Sequence, residues 1–195
     1  MISFFRKKKP ESKVLKNIND KPFAFLGNSE FQHSIFISEL AKLSNCKKYL
    51  ELGIYDASNI KVISTVVEYT VGVDISKLFM IDNGFIFHEK TTDKFFEDNK
   101  ETFDIIFIDA DHKYESVVRD FENSLNILNK NGIVLIHDTD PINDQYAEPG
   151  YCGDSYKINK YLEKEHPELT FTTLPFSESG LTIVNYRNNL RKDFK

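Results

Sequence analysis

The sequence predicts an α/β fold with a mostly parallel sheet, closed by a C-terminal antiparallel hairpin. Three observations carry this prediction. Short apolar runs alternate with amphipathic stretches from about residue 20 onward, the pattern of strands and helices taking turns. The run Phe103–Asp109 is apolar almost throughout, as a strand covered on both faces requires. The last two β-rich runs, Leu169–Leu174 and Leu181–Tyr186, flank a turn-rich link at 175–180 and read as a hairpin. A chain of 195 residues, 41% hydrophobic and 28% charged, suits one well-buried core.

Taken in order, Phe31–Ser44 carries apolar residues at helical spacing. Lys48–Leu52 is a short strand, Ser58–Val67 a helix, and Tyr69–Ile75 a β-branched strand. A short helix is expected over Ser76–Asp82, closed by Asn83-Gly84. Phe85–His88 is a strand, and Thr92 opens a helix to about Asn99. After the strand at Phe103, Tyr114–Leu128 is an amphipathic helix that Asn131-Gly132 is expected to terminate. Ile133–Ile136 is a buried strand, 138–153 a long polar loop, and Asp154 the cap of a helix to about Glu165. The architecture is a Rossmann-like, doubly wound sheet. Its ligands belong outside the carboxyl ends of the strands, at the point where the strand order reverses.

Composition narrows the function classes. Twenty-five basic against 30 acidic side chains give a formal charge of −5, which argues against nucleic acid as a partner. The two cysteines, Cys46 and Cys152, make no disulfide framework and no zinc pattern, so a reducing cytoplasmic compartment is expected. Residues 1–20 read as a flexible basic tail before a single domain at 21–195. Its Arg6–Lys9 cluster follows an apolar stretch, the reverse of a secretion signal. A weak tether to anionic lipid is the sharper reading of that cluster; no run is long enough for membrane insertion.

The chemistry gathers at predicted strand ends. Glu51-Leu52-Gly53-Ile54-Tyr55-Asp56-Ala57-Ser58 joins a strand to a helix, and Gly53 permits a tight turn. Asp74 ends the next strand 23 residues after Glu51, a spacing suited to a carboxylate that accepts both hydroxyls of a ribose. A dinucleotide site wants three glycines around a pyrophosphate. This loop has one glycine and opens on an acid, which would repel a pyrophosphate but tolerate a ligand bearing a sulfonium and an ammonium. The charge logic favours S-adenosylmethionine over NAD.

With those residues in place, the chain resembles class I S-adenosylmethionine-dependent methyltransferases. Glu51–Ser58 looks like their first motif and Val71–Ser76 like their second. The stretch from Phe103 to Thr139, containing Ile108-Asp109-Ala110-Asp111-His112-Lys113-Tyr114-Glu115 and Gly132–Thr139, is similar to a bacterial subgroup that modifies sugars and other small molecules. The resemblance spans about Leu50–Tyr186. It implies that Glu51 and Gly53 contact the methionine portion of the cofactor, and that Ile54, Tyr55, Ser58 and Ile75 are also cofactor-binding. It places Asp74 at the ribose, Thr92 and Asp93 at the adenine, and Asp109, Ala110 and His112 beneath the sulfonium. One departure is Ala57, where a second glycine is usual; its methyl is tolerable if its φ is negative.

Asp109, Asp111 and His112 follow one expected strand, and His137, Asp138 and Asp140 follow its neighbour. Asp109 and Asp138 converge as ligands for a divalent cation, magnesium or manganese, that would acidify an acceptor hydroxyl. His112 is the favoured general base, with Asp109 and His137 also catalytic candidates. Tyr146, Tyr151 and Tyr156 are candidate walls of an acceptor pocket; His33, His88 and His166 lack such a setting. The expected activity is methyl transfer to a small-molecule hydroxyl, with a sugar as one candidate acceptor, by a domain of a kind that often forms homodimers. The alternatives are an NAD- or nucleotide-sugar-binding oxidoreductase and an inactive S-adenosylmethionine-binding module.

Overall fold

The computed structural model describes residues 33–77, 84–176 and 179–186. The expected basic tail and much of the expected helix at Ser76–Asp82 lie outside them; Ser76 and Lys77 themselves are not helical. Among the described residues seven strands form one sheet: β1 Lys48–Leu52, β2 Tyr69–Asp74, β3 Ile86–Glu89, β4 Phe103–Ile108, β5 Leu128–His137, β6 Leu169–Leu174 and β7 Leu181–Tyr186. Their order is β3-β2-β1-β4-β5-β7-β6. The first five are parallel, and β7 enters antiparallel between β5 and β6. The order reverses between β1 and β4, so the ligand crevice belongs at their carboxyl ends.

Among the described residues five α-helices cover the two faces: α1 His33–Leu43, α2 Ser58–Ser64, α3 Thr92–Asp98, α4 Tyr114–Asn126 and α5 Ile158–Glu165. The alternation of side chains along each strand divides the core. Leu50, Leu52, Val71, Val73, Ile106 and Ile108 point to the face that receives Phe95 of α3, Val117 and Phe121 of α4, and Ile158 and Leu162 of α5. Tyr49, Ile105, Phe107 and Leu135 point to the opposite face, against Ile37 and Ala41 of α1 and Ile60 and Ile63 of α2. This two-sided burial explains the continuous apolar run at β4.

Three local expectations change. Helix α2 stops at Ser64, short of Val67, although Val67 is still buried. Asn131-Gly132 does not end α4. It lies inside β5, where Asn131 takes φ 69° and the register to β4 slips between Phe103 and Ile105. A left-handed residue that would cap a helix equally makes a bulge in a strand. Asp154 precedes a single 3-10 turn at Ser155–Lys157, and its Oδ1 accepts the backbone N–H of Tyr114 at 2.6 Å, which ties α5 to the start of α4.

Candidate active site

A cavity of about 870 Å³ opens over the carboxyl ends of the parallel strands. Its wall collects Gly53 after β1, Asp74 and Ile75 after β2, Thr91–Asp93 after β3, Asp109–His112 after β4, and His137 and Asp138 at the end of β5. Five separate chain segments meet there because a parallel sheet puts every carboxyl end on one edge.

The β1–α2 loop is shaped by backbone constraint. Gly53 has φ +83°, and any Cβ there would collide with the carbonyl oxygen of Asp109. Tyr55 and Ala57 also take positive φ, 43° and 62°. Ala57 therefore does not meet the condition of a negative φ, and this residue holds a left-handed conformation that costs an L-residue about 1–2 kcal/mol. Asp74 secures the loop: its Oδ2 accepts the N–H groups of Ile54 at 2.9 Å and Tyr55 at 3.0 Å, and its Oδ1 accepts that of Ser76 at 3.1 Å. The carboxylate faces the cavity with lone-pair capacity left on Oδ1.

Three residues expected at the cofactor do not line the cavity. Glu51 is 2% exposed and points to the α1–α2 face, where Tyr49 Oη donates to its Oε2 at 2.7 Å and Asn59 Nδ2 donates to the same oxygen. Period-two alternation decides this, because Leu50 and Leu52 flank Glu51 and face the other way. Burial pushes the Glu51 carboxyl up to about 8, against the two hydrogen bonds that favour its charge. Ile54 packs its side chain against Gly72 in the core. Ser58 sits exposed at the start of α2, its N–H on Asp56 Oδ1. Gly53, Tyr55, Asp74, Ile75, Thr92, Asp93, Asp109, Ala110 and His112 do line it.

At the β4–β5 end the titratable groups converge. His137 Nδ1 lies 3.1 Å from Asp109 Oδ1 and 3.3 Å from Asp138 Oδ1, and its Nε2 meets Ser179 Oγ at 3.2 Å. Burial opposes a charge on His137, but Asp109 and then Asp138 outweigh it and lift the imidazole to about 9. His112 Nε2 lies 3.2 Å from Asp138 Oδ2 and 3.8 Å from Asp109 Oδ1. Its Nδ1 bonds the carbonyl oxygen of Tyr151. A neutral His112 that donates through Nδ1 presents the bare lone pair of Nε2 to two carboxylates, so a proton or a cation belongs between them. Asp138 is buried at φ 61°, a strained backbone that aims one carboxylate oxygen at each histidine. Asp109, His137 and Asp138 can each offer one ligand atom, all within 4.8 Å of one another.

The sequence missed His33. It begins α1, where its ring lies 4.7 Å from that of His137 and 5.4 Å from that of Phe107. Burial, followed by the neighbouring His137, pushes its pKa down to about 4. Nothing in the local pattern near residue 33 signals this, because the contact crosses from α1 to β5. His88 and His166 lie outside the cavity, as expected, with His166 held by Glu122 and Glu168. Of the three tyrosines, Tyr146 and Tyr151 line the cavity and Tyr156 does not.

Residues 65–139 match the family model of a methyltransferase domain. Solved structures share the fold at low identity. One is an O-methyltransferase of Bacillus cereus in complex with S-adenosylhomocysteine, 14% identical with a TM-score of 0.63, the alignment covering 83% of each chain. Another is an S-adenosylhomocysteine-bound methyltransferase of Podospora anserina, 17% identical with a TM-score of 0.64 over 86% of this chain and 82% of that one. A third is an O-methyltransferase of Streptomyces achromogenes involved in tomaymycin synthesis, 12% identical with a TM-score of 0.62 over 80% of each. The chain has the fold of these methyltransferases, and its segment 65–139 matches the model of a methyltransferase domain. Among curated proteins, none matches the chain. The methyltransferase segment takes in Asp74, Asp109, His112, His137 and Asp138, the groups that the fold brings to one edge.

The donor of such methyltransferases, S-adenosylmethionine, fits the residues present. The cavity is large enough for a nucleoside with an amino-acid tail and has the Asp74 carboxylate on its wall. Its loop approaches too closely for any side chain at Gly53. The oxidoreductase alternative lacks both the glycine-rich turn and a pyrophosphate cradle.

Proposed function

We propose that this methyltransferase modifies a hydroxyl oxygen of a small molecule, a sugar being the leading class, with help from a divalent cation. The observation that carries the proposal is the convergence of Asp109, Asp138, His137 and His112 at the end of the cofactor cavity. Such a group serves an acceptor that must lose a proton. S-adenosylmethionine, when bound, supplies the electrophilic methyl group. Asp74 would hold its ribose, and Thr92 and Asp93 would border its adenine.

Asp109, Asp138 and His137 would hold a cation whose chemistry there is to polarise and acidify a bound hydroxyl. A mixed carboxylate and imidazole set suits manganese better than magnesium, which prefers oxygen ligands throughout. His112 takes the hydroxyl proton at Nε2, its tautomer fixed by Nδ1 against the Tyr151 carbonyl. Tyr146 and Tyr151, ring to ring at 5.5 Å, would wall the acceptor, their faces suited to sugar C–H groups. The O-methyltransferases among the structures of like fold support an oxygen acceptor.

The test is formation of S-adenosylhomocysteine with a panel of sugar and phenolic acceptors, with and without chelator. Turnover should need an acceptor, fall at least tenfold in chelator, and return more fully with manganese than with magnesium. Full turnover in chelator would leave Asp109 and Asp138 as positioning groups only.

A further inference from the structure

We propose that Ser179, on the turn between β6 and β7, is the positioning residue that fits His137 for a cation by accepting the proton of its Nε2. This rests on the cation reading of Asp109, Asp138 and His137. The C-terminal hairpin brings Ser179 there. Leu181, at the start of β7, pairs with Leu174 of β6 and with His137, the last residue of β5. The turn before Leu181 therefore lies beside the segment that follows His137. Backbone contacts hold it in place. Asp140 N–H donates to the Ser179 carbonyl at 2.7 Å, and Gly180 N–H donates to that of Phe176 at 2.9 Å. Gly180, at φ +77°, packs so closely that any Cβ would collide with Asp140. Ser179 thus reaches the cavity wall with its backbone fixed, and its Oγ meets His137 Nε2 at 3.2 Å.

The two nitrogens of one imidazole decide what this hydroxyl does. His137 Nδ1 faces Asp109 Oδ1 at 3.1 Å and Asp138 Oδ1 at 3.3 Å, so Nδ1 is the nitrogen that would share a cation with these carboxylates. A ligand nitrogen must be bare, which places the single proton of a neutral imidazole on Nε2. That N–H needs an acceptor, and Ser179 Oγ stands within reach of it. A hydroxyl suits the place because it accepts from Nε2 and turns its own proton elsewhere. The ring of His33, 4.7 Å away centre to centre, supports the plane of the imidazole, and Ser179 selects its tautomer. Groups that act in this way through a ligand set the affinity for the metal.

The test is calorimetric binding of manganese to the full chain, with the affinity for S-adenosylhomocysteine measured beside it. Ser179→Ala should weaken manganese binding about 10–100-fold and leave S-adenosylhomocysteine binding unchanged. Ser179→Thr keeps the hydroxyl and should restore most of the manganese affinity. Wild-type manganese affinity in Ser179→Ala overturns the proposal and leaves the cation reading intact. Equal loss in both variants assigns the effect to the shape of the turn and also overturns the proposal. Failure of wild type to bind manganese overturns both. A measurement on wild type reads the tautomer directly, whatever the folding of the variants. It uses nuclear magnetic resonance of protein labelled at the histidine ring nitrogens and loaded with zinc, a diamagnetic ion suited to imidazole and carboxylate. The His137 proton should sit on Nε2, and a proton on Nδ1 overturns the proposal.

Discussion

Two residues show how position in the backbone overrides residue type. Ala57 sits at φ 62° with its methyl fully buried, so strain of about 1–2 kcal/mol opposes burial worth about 0.8 kcal/mol. Glu51 sits where a ligand-binding acid was expected, yet faces Tyr49 and Asn59. Its burial makes a stability prediction. The folded state holds the Glu51 proton up to about pH 8, whereas the unfolded chain releases it near the ordinary glutamate value of 4.5. The folded state therefore binds more protons across that window, and stability falls as pH rises through it. The loss amounts to a few kcal/mol at about 1.4 kcal/mol for each tenfold displacement of the proton equilibrium. Glu51→Gln keeps an oxygen for both donors and removes the titration. Denaturant midpoints should match wild type near pH 5 and exceed it near pH 9. Parallel pH curves for the two proteins would show that Glu51 is ionised in the fold.

At the scale of elements, strands were more legible than turns. β1, β6 and β7 fall on the expected residues because β-branched and apolar residues at strand spacing leave little choice of phase. The register of a side chain within the strand was the weaker inference. Glu51 was read by its nearness to Gly53 rather than by the face it shares with Tyr49. Asn131-Gly132 was ambiguous for a different reason, since the same left-handed residue closes a helix or bulges a strand, and only pairing with β4 decides. Contacts that cross elements, such as His33 on His137, leave no mark in the local sequence. The loop after β5 was legible as non-regular but not as ordered. It is a chain of turns, with Cys152 N–H on the Tyr146 carbonyl at 2.9 Å and Asp154 N–H on the His112 carbonyl at 3.1 Å. Its tip at Gly150, φ +95° with open space around it, is the exposed point. Because Tyr151 bonds His112 and lines the cavity, ligands should steady this loop. Limited proteolysis near Glu148–Gly150 should slow severalfold with S-adenosylhomocysteine plus acceptor. An unchanged rate would place the acceptor away from Tyr146 and Tyr151.

The whole molecule gathers its ligand groups from both halves of the sheet, which makes ligand binding a property of global stability. Asp74 and the β1–α2 loop belong to the half that runs β1-β2-β3, and Asp109, Asp138 and the histidines to the half that runs β4-β5-β7-β6. The halves meet at β1 and β4, whose pairing includes Leu52 with Ile108. A ligand that bridges them binds only when that seam is closed, so it stabilises the folded chain by mass action. At a hundred times its dissociation constant the gain is about 2.7 kcal/mol. For a domain of this size each kcal/mol raises the melting temperature by about 2–4 °C, so S-adenosylhomocysteine should raise it by about 5–10 °C. Asp74→Asn separates the halves of this effect. Its amide keeps an oxygen for the Ile54 and Tyr55 N–H groups but replaces Oδ1, which accepts the Ser76 N–H and would take a ribose hydroxyl. The variant should melt a few degrees below wild type without ligand and gain only a degree or two at the same ligand concentration. A full thermal shift in Asp74→Asn would show that the ribose is held elsewhere, and a far larger drop in the unliganded melting temperature would show that Asp74 serves chiefly to hold the β1–α2 loop.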